Sequence, residues 1–264
     1  MENLAVVAKK VRKSILDMTY NAKDSHIGCA LSSVDILVAL YFGVMKIDPV
    51  KPKDLRRDRF ILSKGHIASG LYAVLSERGF LKIEDLSSFA KDGSCIPSHV
   101  AQDAVLGVET SGGSGGHGLS LGVGMALAAR IDNASYRIFV LTGDGELQEG
   151  SIWEAAMFAS SRNLKNLTLI VDRNMFQTWG KVDDVVALEP LAERFRSFGW
   201  DVDEIDGHDI ANLIKVLSAT GNNPHVVIAR TVKGKGVSFM EGTGEWHNGV
   251  LTEEQYKTAI QEVS

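Results

Sequence analysis

The feature that most constrains the fold is a regular alternation of short apolar runs and helix-like stretches in the second half of the chain. Apolar runs with β character occupy 137–141, 167–171, 200–205 and 225–229, and helical patterns separate them. Strands that alternate with helices in this way predict a parallel sheet covered by helices. We therefore expect an α/β fold with a mostly parallel sheet, formed by a single domain over 1–264.

The rest of the chain is predicted to be mostly helical. A glycine-dense segment, SGGSGGHG, interrupts this pattern at 111–118 and opens onto a long apolar stretch. Apolar residues recur at helical spacing in seven stretches and in a segment at the carboxyl end. These stretches are 3–21, 33–45, 67–79, 83–90, 150–163, 189–198 and 209–219, followed by 251–263.

Composition excludes several classes of function. The 264 residues carry a formal net charge of −5, which argues against a broad surface for nucleic acid or for anionic membranes. The longest apolar run, Ile36 to Met45, is too short to span a bilayer. The two cysteines, Cys29 and Cys95, form neither a disulfide framework nor the spacing of a zinc site. We expect a cytoplasmic protein with reduced thiols.

The residues after two neighbouring strands indicate a candidate site. Asp144 follows the run at 137–141 and Asn174 follows the run at 167–171, so both are expected at the carboxyl edge of the sheet, where ligands bind. A carboxylate and an amide suit Mg²⁺, and the glycines around Asp144 allow a phosphate to approach the backbone. A magnesium–diphosphate site is one interpretation. A capping aspartate and a turn-forming asparagine are the other.

Several longer strings carry a family resemblance. GDG at 143–145, followed after 28 residues by Asn174, resembles the motif of thiamine-diphosphate-dependent enzymes, and GDGELQEGSIWEA resembles transketolase in particular. Other transketolase-like strings occur in family order over nearly the whole chain. They are SHIGCALSSVDIL, LSKGHIASGLYAVL, ETSGGSGGHGLSLGVGMALAAR and TVKGKGVSFMEGTGEWHNG. The chain is thus similar to the N-terminal, diphosphate-binding region of transketolase.

The resemblance implies a cofactor and a metal ion. Asp144, Asn174 and the backbone carbonyl of Phe176 would bind Mg²⁺, with Ca²⁺ or Mn²⁺ as substitutes. Gly143 and Gly145 would flank the diphosphate of thiamine diphosphate. The resemblance therefore favours the magnesium–diphosphate interpretation over the strand-end turn.

Four histidines match positions that face the substrate in this family. His66 and His247 would contact the diphosphate and the substrate, and His26 and His99 would contact the hydroxyl groups of a donor ketose. A single histidine is more often a structural hydrogen-bonding residue, but four at matching positions favour a functional role. Neutral imidazoles both donate and accept hydrogen bonds, which suits a sugar.

The glycine-dense segment and two glutamates complete the implied site. Gly113 would accept a hydrogen bond from the aminopyrimidine, with Ser114 and Gly115 beside it in the cofactor-binding loop. Glu149 and Glu154 resemble the glutamates that link paired active sites across a subunit interface. Glu149 is also assigned to the catalytic and cofactor-binding residues on this basis.

The chain departs from the family pattern in this segment. Gly115 replaces a bulky apolar residue, His117 replaces a glutamine, and Trp179 replaces an acidic residue. We expect these changes to affect the choice of substrate more than the binding of the cofactor. The glycines also satisfy a GxGxxG pattern, but Asp132 follows a helical stretch instead of a second strand, so we do not expect a dinucleotide site.

Length implies a partner. A single-chain transketolase continues into a pyrimidine-binding domain and a C-terminal domain, and we expect a second subunit to supply both in an A₂B₂ heterotetramer. The implied function is ketol transfer from a ketose phosphate to an aldose, as in the pentose phosphate pathway, with neither nucleic acid nor membrane as a partner. One alternative is a related carboligase, for an unusual sugar or similar to deoxyxylulose-phosphate synthase. Another is a non-catalytic binding module. His26 with His99 favours a hydroxylated ketose over pyruvate.

Overall fold

The centre of the fold is a five-stranded, fully parallel sheet in the order β1-β2-β3-β7-β6. The computed structural model describes residues 3–102 and 104–264. The strands are β1 (Arg59–Leu62), β2 (Ile138–Gly143), β3 (Leu167–Arg173), β6 (Asp201–Asp206) and β7 (His225–Arg230), and a small hairpin consists of β4 (Phe176–Gln177) and β5 (Gly180–Lys181). The prediction of an α/β fold with a mostly parallel sheet is confirmed.

Helices cover both faces of the sheet. The α-helices are α1 (Leu4–Ala22), α2 (Ile27–Ser32), α3 (Val34–Ala39), α4 (Ala68–Arg78), α5 (Gly118–Ile131), α6 (Gly150–Ser161), α7 (Val182–Val185), α8 (Leu191–Ser197), α9 (Ile210–Ser218) and α10 (Glu253–Val263). A π-helical turn spans Leu40–Val44, and 3₁₀ turns span Gly65–Ile67, Ile83–Ser88, Gly145–Gln148 and Glu245–His247. In the described ranges, the chain forms no helix that is both long and apolar enough to cross a membrane.

The sheet separates two apolar cores. Phe139 and Leu141 of β2 pack into the core shared with α1 to α4, α9 and α10. Ile138 and Val140 pack into the core shared with α5, α6 and α8. This alternation follows from the two-residue period of a strand, and burial on both faces explains why the central strands are continuously apolar.

The structure differs from the sequence prediction in the first third of the chain. β1 is a short edge strand, and its four residues, RFIL, follow a run of charged residues that masks a strand pattern. The helix predicted over 33–45 is divided into α3 and the π-helical turn, while α2 forms before it. The stretch near 83–90 is a 3₁₀ helix.

Register brings the candidate site together. Gly143, the last residue of β2, pairs with Asp172 of β3, so the loops that follow these strands begin side by side. Asp172 in turn pairs with Ala229 of β7. The three loops therefore leave the same carboxyl edge of the sheet, as expected for parallel strands.

Candidate active site

Asp144 and Asn174 lie next to each other at the ends of β2 and β3. The Asp144 carboxylate accepts hydrogen bonds from the backbone N–H of Gly145 at 2.8 Å and of Met175 at 2.7 Å. The Asn174 side-chain oxygen accepts from the N–H of Phe176 at 3.1 Å. Met175 has a φ of 73°, a left-handed conformation that turns the chain sharply between Asn174 and Phe176. The turn holds both side-chain oxygens in fixed positions.

A cavity of about 280 Å³ opens over these residues. It gathers most of the residues that the sequence analysis selected. They are His26, His66, His99, Gly113, Gly143, Asp144, Gly145, Asn174, Phe176 and His247. Segments that are far apart in sequence therefore meet in one polar pocket.

Four imidazoles form the wall of the cavity. The ring centroid of His26 lies 5.1 Å from that of His66, 5.7 Å from that of His247 and 6.0 Å from that of His99. The backbone N–H of His26 donates to the carbonyl of His247 at 3.1 Å, which couples the loop before α2 to the segment before α10. His26 is thus the central ring of the cluster.

The surroundings favour neutral imidazoles at three of these positions. Burial, together with the nearby His247 and His99, lowers the pKa of His26 to about 4. Burial is also the main reason that the pKa of His66 falls to about 4 and that of His247 to about 3, where the charge of Lys233 contributes. Near neutral pH these rings can therefore both accept and donate hydrogen bonds.

A buried lysine and a thiol face His247. The Nζ of Lys233 lies 3.1 Å from the Cys29 sulfur, 3.2 Å from the Nδ1 of His247 and 3.4 Å from the carbonyl oxygen of Phe176. Burial alone would raise the pKa of the Cys29 thiol, but Lys233 and a hydrogen bond with His66 lower it to about 6. The Cys29 sulfur is therefore in direct contact with the Nζ of a buried lysine.

A second buried ion pair supports the floor of the site. The Nζ of Lys64 lies 2.5 Å from the Asp172 carboxylate, which also accepts hydrogen bonds from Ser32 and Thr231. Burial would raise the pKa of Asp172, but Lys64 and the hydroxyl groups lower it to about 2. The Nδ2 of Asn174 donates to the same carboxylate at 3.1 Å, so Asp172 orients the Asn174 amide.

The surroundings disfavour the ionised form of Asp144. Burial and the nearby negative charge of Asp172 together raise the pKa of this carboxyl group to about 6. The nearest side-chain cation is the guanidinium of Arg173, whose Nη1 is 3.3 Å from Asp144. Arg173 is itself shared with Asp183 and Glu189. A divalent cation beside Asp144 would relieve this unfavourable charge.

The predicted magnesium ligands fit such an ion in the chemical type of their donor atoms and in their position at the cavity. Asp144, Asn174 and Phe176 all line the cavity and offer a carboxylate, an amide oxygen and a carbonyl oxygen, the hard donors that Mg²⁺ prefers. The Oδ1 of Asp144 keeps a second lone pair beyond its hydrogen bond with Gly145, whereas Oδ2 accepts from both Met175 and Arg173. Lys233 shares the Phe176 carbonyl and would have to release it.

Glu146 connects the glycine segment to the end of β2. Its carboxylate accepts hydrogen bonds from the hydroxyl group of Ser63, from the N–H of Gly116 at 2.8 Å and from the N–H of Gly143 at 3.3 Å. The Ser63 oxygen also accepts from the N–H of Gly118 at 3.0 Å. Burial raises the pKa of Glu146. One side chain therefore joins both backbone segments expected to face the cofactor.

Three of the sequence-selected residues lie outside the cavity. Ser114 lines a neighbouring space of about 380 Å³ together with His117. Gly115 faces Glu146 and Glu149, and a Cβ added there would lie 3.6 Å from the Glu146 Cγ. Glu149 is exposed at the start of α6.

Two further residues named from the sequence are also exposed. Glu154 lies on the outer face of α6. Trp179, in the turn of the β4–β5 hairpin, is 84% exposed and therefore contributes little to packing. The structure thus places the glutamates on an outer surface and the histidines in the pocket.

The sequence analysis missed several residues of the site. Cys29, Lys64 and Lys233 all lie inside quoted family strings, but the strings alone do not indicate that these three side chains meet. Asp172 carried a usable signal, because a charged residue directly after the apolar run at 167–171 requires a buried partner. The contacts themselves join residues more than a hundred positions apart.

Known proteins resemble the chain over its whole length. Residues 4–263 match the family described as "Transketolase, thiamine diphosphate binding domain". The chain is 45% identical to one subunit of the apulose-4-phosphate transketolase of Phocaeicola vulgatus, with coverage of 100% of this chain and 95% of that protein. It is 41% identical to the 6-deoxy-6-sulfo-D-fructose transketolase subunit SqwG of a Clostridium species, with coverage of 97% and 94%.

Single-chain transketolases match over part of their length. The human protein is 36% identical and the chain covers 42% of it. The crystal structure of the Campylobacter jejuni transketolase superposes with a TM-score of 0.92 at 32% identity, and the chain covers 43% of that protein. The chain therefore belongs to the transketolase family, in which it corresponds to the thiamine diphosphate binding domain and to the matching subunit of the enzymes that are divided into subunits.

Proposed function

We propose that the chain is one subunit of a Mg²⁺-dependent transketolase that moves a two-carbon ketol unit from a ketose phosphate to an aldose. The observation that carries this proposal is the single cavity that combines Asp144, Asn174 and Phe176 with four histidines. Oxygen donors suit a metal-bound diphosphate, and neutral imidazoles suit a polyhydroxylated substrate. A non-catalytic binding module would not need both sets in one pocket.

The cofactor seat is formed by two strand-end loops and the glycine segment. Gly143 and Gly145 would flank the diphosphate, and His66 and His247 would contact it. Gly113 would accept a hydrogen bond from the aminopyrimidine, with Ser114 and Gly115 next to it. Thiamine diphosphate supplies the carbanion chemistry when bound, provided that protein groups activate it.

The substrate lies against the histidine cluster. His26, the central ring, and His99 contact hydroxyl groups of the donor ketose. A neutral His26 can accept the proton of the donor C3 hydroxyl as the C2–C3 bond breaks, and it can return that proton when the aldose is joined. Its low pKa keeps it in the accepting form throughout the physiological range.

The names of two relatives favour a second candidate, in which the donor is a sugar outside the common set. The two relatives described above are named for apulose 4-phosphate and for 6-deoxy-6-sulfo-D-fructose. Gly115 also lacks the bulky apolar side chain of the family pattern, a departure that favours an altered substrate. A carboligase for an unusual sugar is therefore the second candidate.

A partner subunit completes the site and a second copy completes the assembly. The outer face of α5 and α6 exposes Leu121, Met157 and Phe158, with exposed fractions of 43%, 50% and 42%. Large apolar side chains exposed on two adjacent helices are typical of a subunit interface. Glu154 lies on the same face, as expected for a glutamate that links paired sites in an A₂B₂ heterotetramer. We place this domain, 1–264, in the cytoplasm.

The test is a ketol-transfer assay with the chain alone and with the subunit that supplies the remaining domains. The donors are xylulose 5-phosphate, apulose 4-phosphate and 6-deoxy-6-sulfo-D-fructose, with ribose 5-phosphate or glyceraldehyde 3-phosphate as acceptor. We expect turnover only from the pair and only with thiamine diphosphate and Mg²⁺. No turnover of any donor by a pair that binds the cofactor would overturn the proposal.

A matched pair of variants isolates the metal site. Asp144→Ala removes the buried carboxylate, and we expect Mg²⁺-dependent cofactor binding to be lost in calorimetry. Asp184→Ala removes an exposed carboxylate on α7 and serves as the control. Unchanged binding in Asp144→Ala would contradict the assigned metal ligand.

Interface variants test the assembly. Phe158→Glu places a charge on the exposed face of α6, and we expect native mass spectrometry to show a smaller complex. Leu55→Glu, at a residue that is 79% exposed in the loop before β1, is the control. An unchanged mass for Phe158→Glu would show that α6 lies outside the interface.

A further inference from the structure

A second group of donors in the cavity has the chemistry of a softer metal ion. The sulfur of Cys29 and one ring nitrogen each of His66 and His247 all lie within 4.8 Å of one another. The Cys29 sulfur is 3.4 Å from the Nδ1 of His247. None of these atoms belongs to the oxygen set of Asp144, Asn174 and Phe176.

The spacing matches a tetrahedral transition-metal site. With metal–sulfur and metal–nitrogen bonds of about 2.3 and 2.0 Å, two ligands at a tetrahedral angle are separated by about 3.5 Å. The observed separation between Cys29 and His247 is 3.4 Å, and small side-chain rotations would bring the His66 nitrogen to a similar distance. One thiolate and two imidazoles leave a fourth position for water, as in open zinc sites.

A resident cation already occupies this position. The Nζ of Lys233 lies 3.1 Å from the Cys29 sulfur and 3.2 Å from the His247 Nδ1, so their lone pairs face a positive charge. Lys233 is fully buried, and it competes with any metal ion for the same donors. The site therefore favours an ion that binds sulfur and nitrogen strongly enough to displace an ammonium group.

We propose that Cys29, His66 and His247 form a binding site for a soft divalent transition-metal ion such as Zn²⁺, filled when the cavity holds no thiamine diphosphate. The ion draws the two imidazoles toward the Cys29 sulfur and displaces Lys233. Occupation by the metal and by the cofactor are then mutually exclusive. The site itself follows from the three side chains, and only this exclusion rests on the proposed function, which assigns His66 and His247 to the diphosphate.

Cobalt spectroscopy tests the site directly. Co²⁺ added to the metal-free, cofactor-free chain is expected to produce a near-ultraviolet band of thiolate coordination and visible bands of tetrahedral geometry, and Zn²⁺ to abolish them. Cys29→Ser should lose the thiolate band, whereas Cys95→Ser, at the exposed cysteine, should keep it. No thiolate band in the wild-type chain, or an unchanged band in Cys29→Ser, would overturn the proposal.

Lys233→Met tests whether Lys233 competes with the metal ion for Cys29 and His247 or only lies near them. Removal of the ammonium should strengthen Zn²⁺ binding about tenfold or more against a chromophoric chelator, and circular dichroism checks that the variant is folded. Weaker or equal binding in folded Lys233→Met would contradict the displacement of Lys233.

A competition experiment separates this inference from the proposed function. Thiamine diphosphate with Mg²⁺, whose binding is measured independently by calorimetry, should suppress the cobalt band. A cofactor that binds while the band persists refutes the exclusion. A cofactor that fails to bind even when the partner subunit is present refutes the proposed function and leaves the cobalt result to stand alone.

Discussion

The carboxylate of Asp144 accepts a hydrogen bond from the backbone N–H of Met175 at 2.7 Å. This contact ties the end of β2 to the loop after β3. Because backbone hydrogen bonds orient the carboxylate, little ordering of the side chain remains when a cation binds.

Asp144→Asn should lose metal binding and gain stability. In the wild type, the pKa of Asp144 is raised to about 6, so the folded chain keeps a proton that the unfolded chain releases. The stability of the wild type therefore falls as the pH rises from about 4 to about 6. An amide removes this dependence, and we expect the cofactor-free variant to gain on the order of 2 kcal/mol above pH 6. Urea unfolding at pH 5 and pH 7.5 without divalent ions measures the gain. A variant less stable at both pH values would contradict this account.

Lys64→Met should destabilise the chain strongly. It leaves Asp172 buried without its cation, which typically costs about 3 to 5 kcal/mol. The exposed pair of Lys257 and Glu253 supplies the control, and Lys257→Met should change the free energy of unfolding by less than about 1 kcal/mol. Equal effects of the two substitutions in denaturant unfolding would refute the prediction.

Acid should weaken the same ion pair. The pKa of Asp172 is lowered to about 2, so its contribution is complete above the ordinary value of 3.8 and is lost as the pH falls from about 4 to about 2. In Asp172→Asn, this part of the acid transition should disappear. The measurement is the free energy of unfolding across that pH interval for the wild type and for Asp172→Asn. Equal slopes against pH in the two proteins would show that the pairing with Lys64 is unimportant.

Glu146→Gln should loosen the glycine segment with a small effect on overall stability. The amide keeps one acceptor oxygen but loses the charge that receives the N–H groups of Gly116 and Gly143. We expect faster hydrogen exchange at Gly116 and about tenfold weaker cofactor binding, with a smaller change in kcat. Equal exchange rates in Glu146→Gln and the wild type would show that the carboxylate does not restrain the segment.

Gly116→Ala should destabilise the chain, whereas Gly124→Ala should not. Gly116 has a φ of 86°, and an added Cβ would lie 2.7 Å from both the Glu149 Cβ and the Ser151 Oγ. Gly124 faces open space within α5, where alanine typically gains about 0.5 to 1 kcal/mol. Thermal unfolding of the isolated chain compares them. A stabilising Gly116→Ala would contradict the close packing of this loop against α6.

The sequence predicts the long, regular strands and helices of this fold, but fewer of its short or irregular elements. β2, β3 and β7 are continuously apolar because both faces are buried, and this pattern needs no tertiary information. β1 has only four residues and owes its place to pairing with β2. A pattern search has no means to detect a strand that depends on its neighbour.

The candidate site divides in a similar way. Asp144 and Asn174 are found because each follows a strand, and the histidines because they lie in recognisable strings. The contact of Lys233 with Cys29 joins residues 204 positions apart and exists only after folding. The charges inside a pocket depend on such contacts. The pairing of the Cys29 sulfur with Lys233 can therefore be found only from the folded structure.

The exposed side chains Leu121, Met157 and Phe158 also bear on the life of the chain in a cell. Chaperones and proteases recognise uncovered apolar surfaces. If the proposed assembly covers these side chains, we expect copies without the companion subunit to be degraded or to aggregate. The supply of the companion subunit would then limit the amount of the chain.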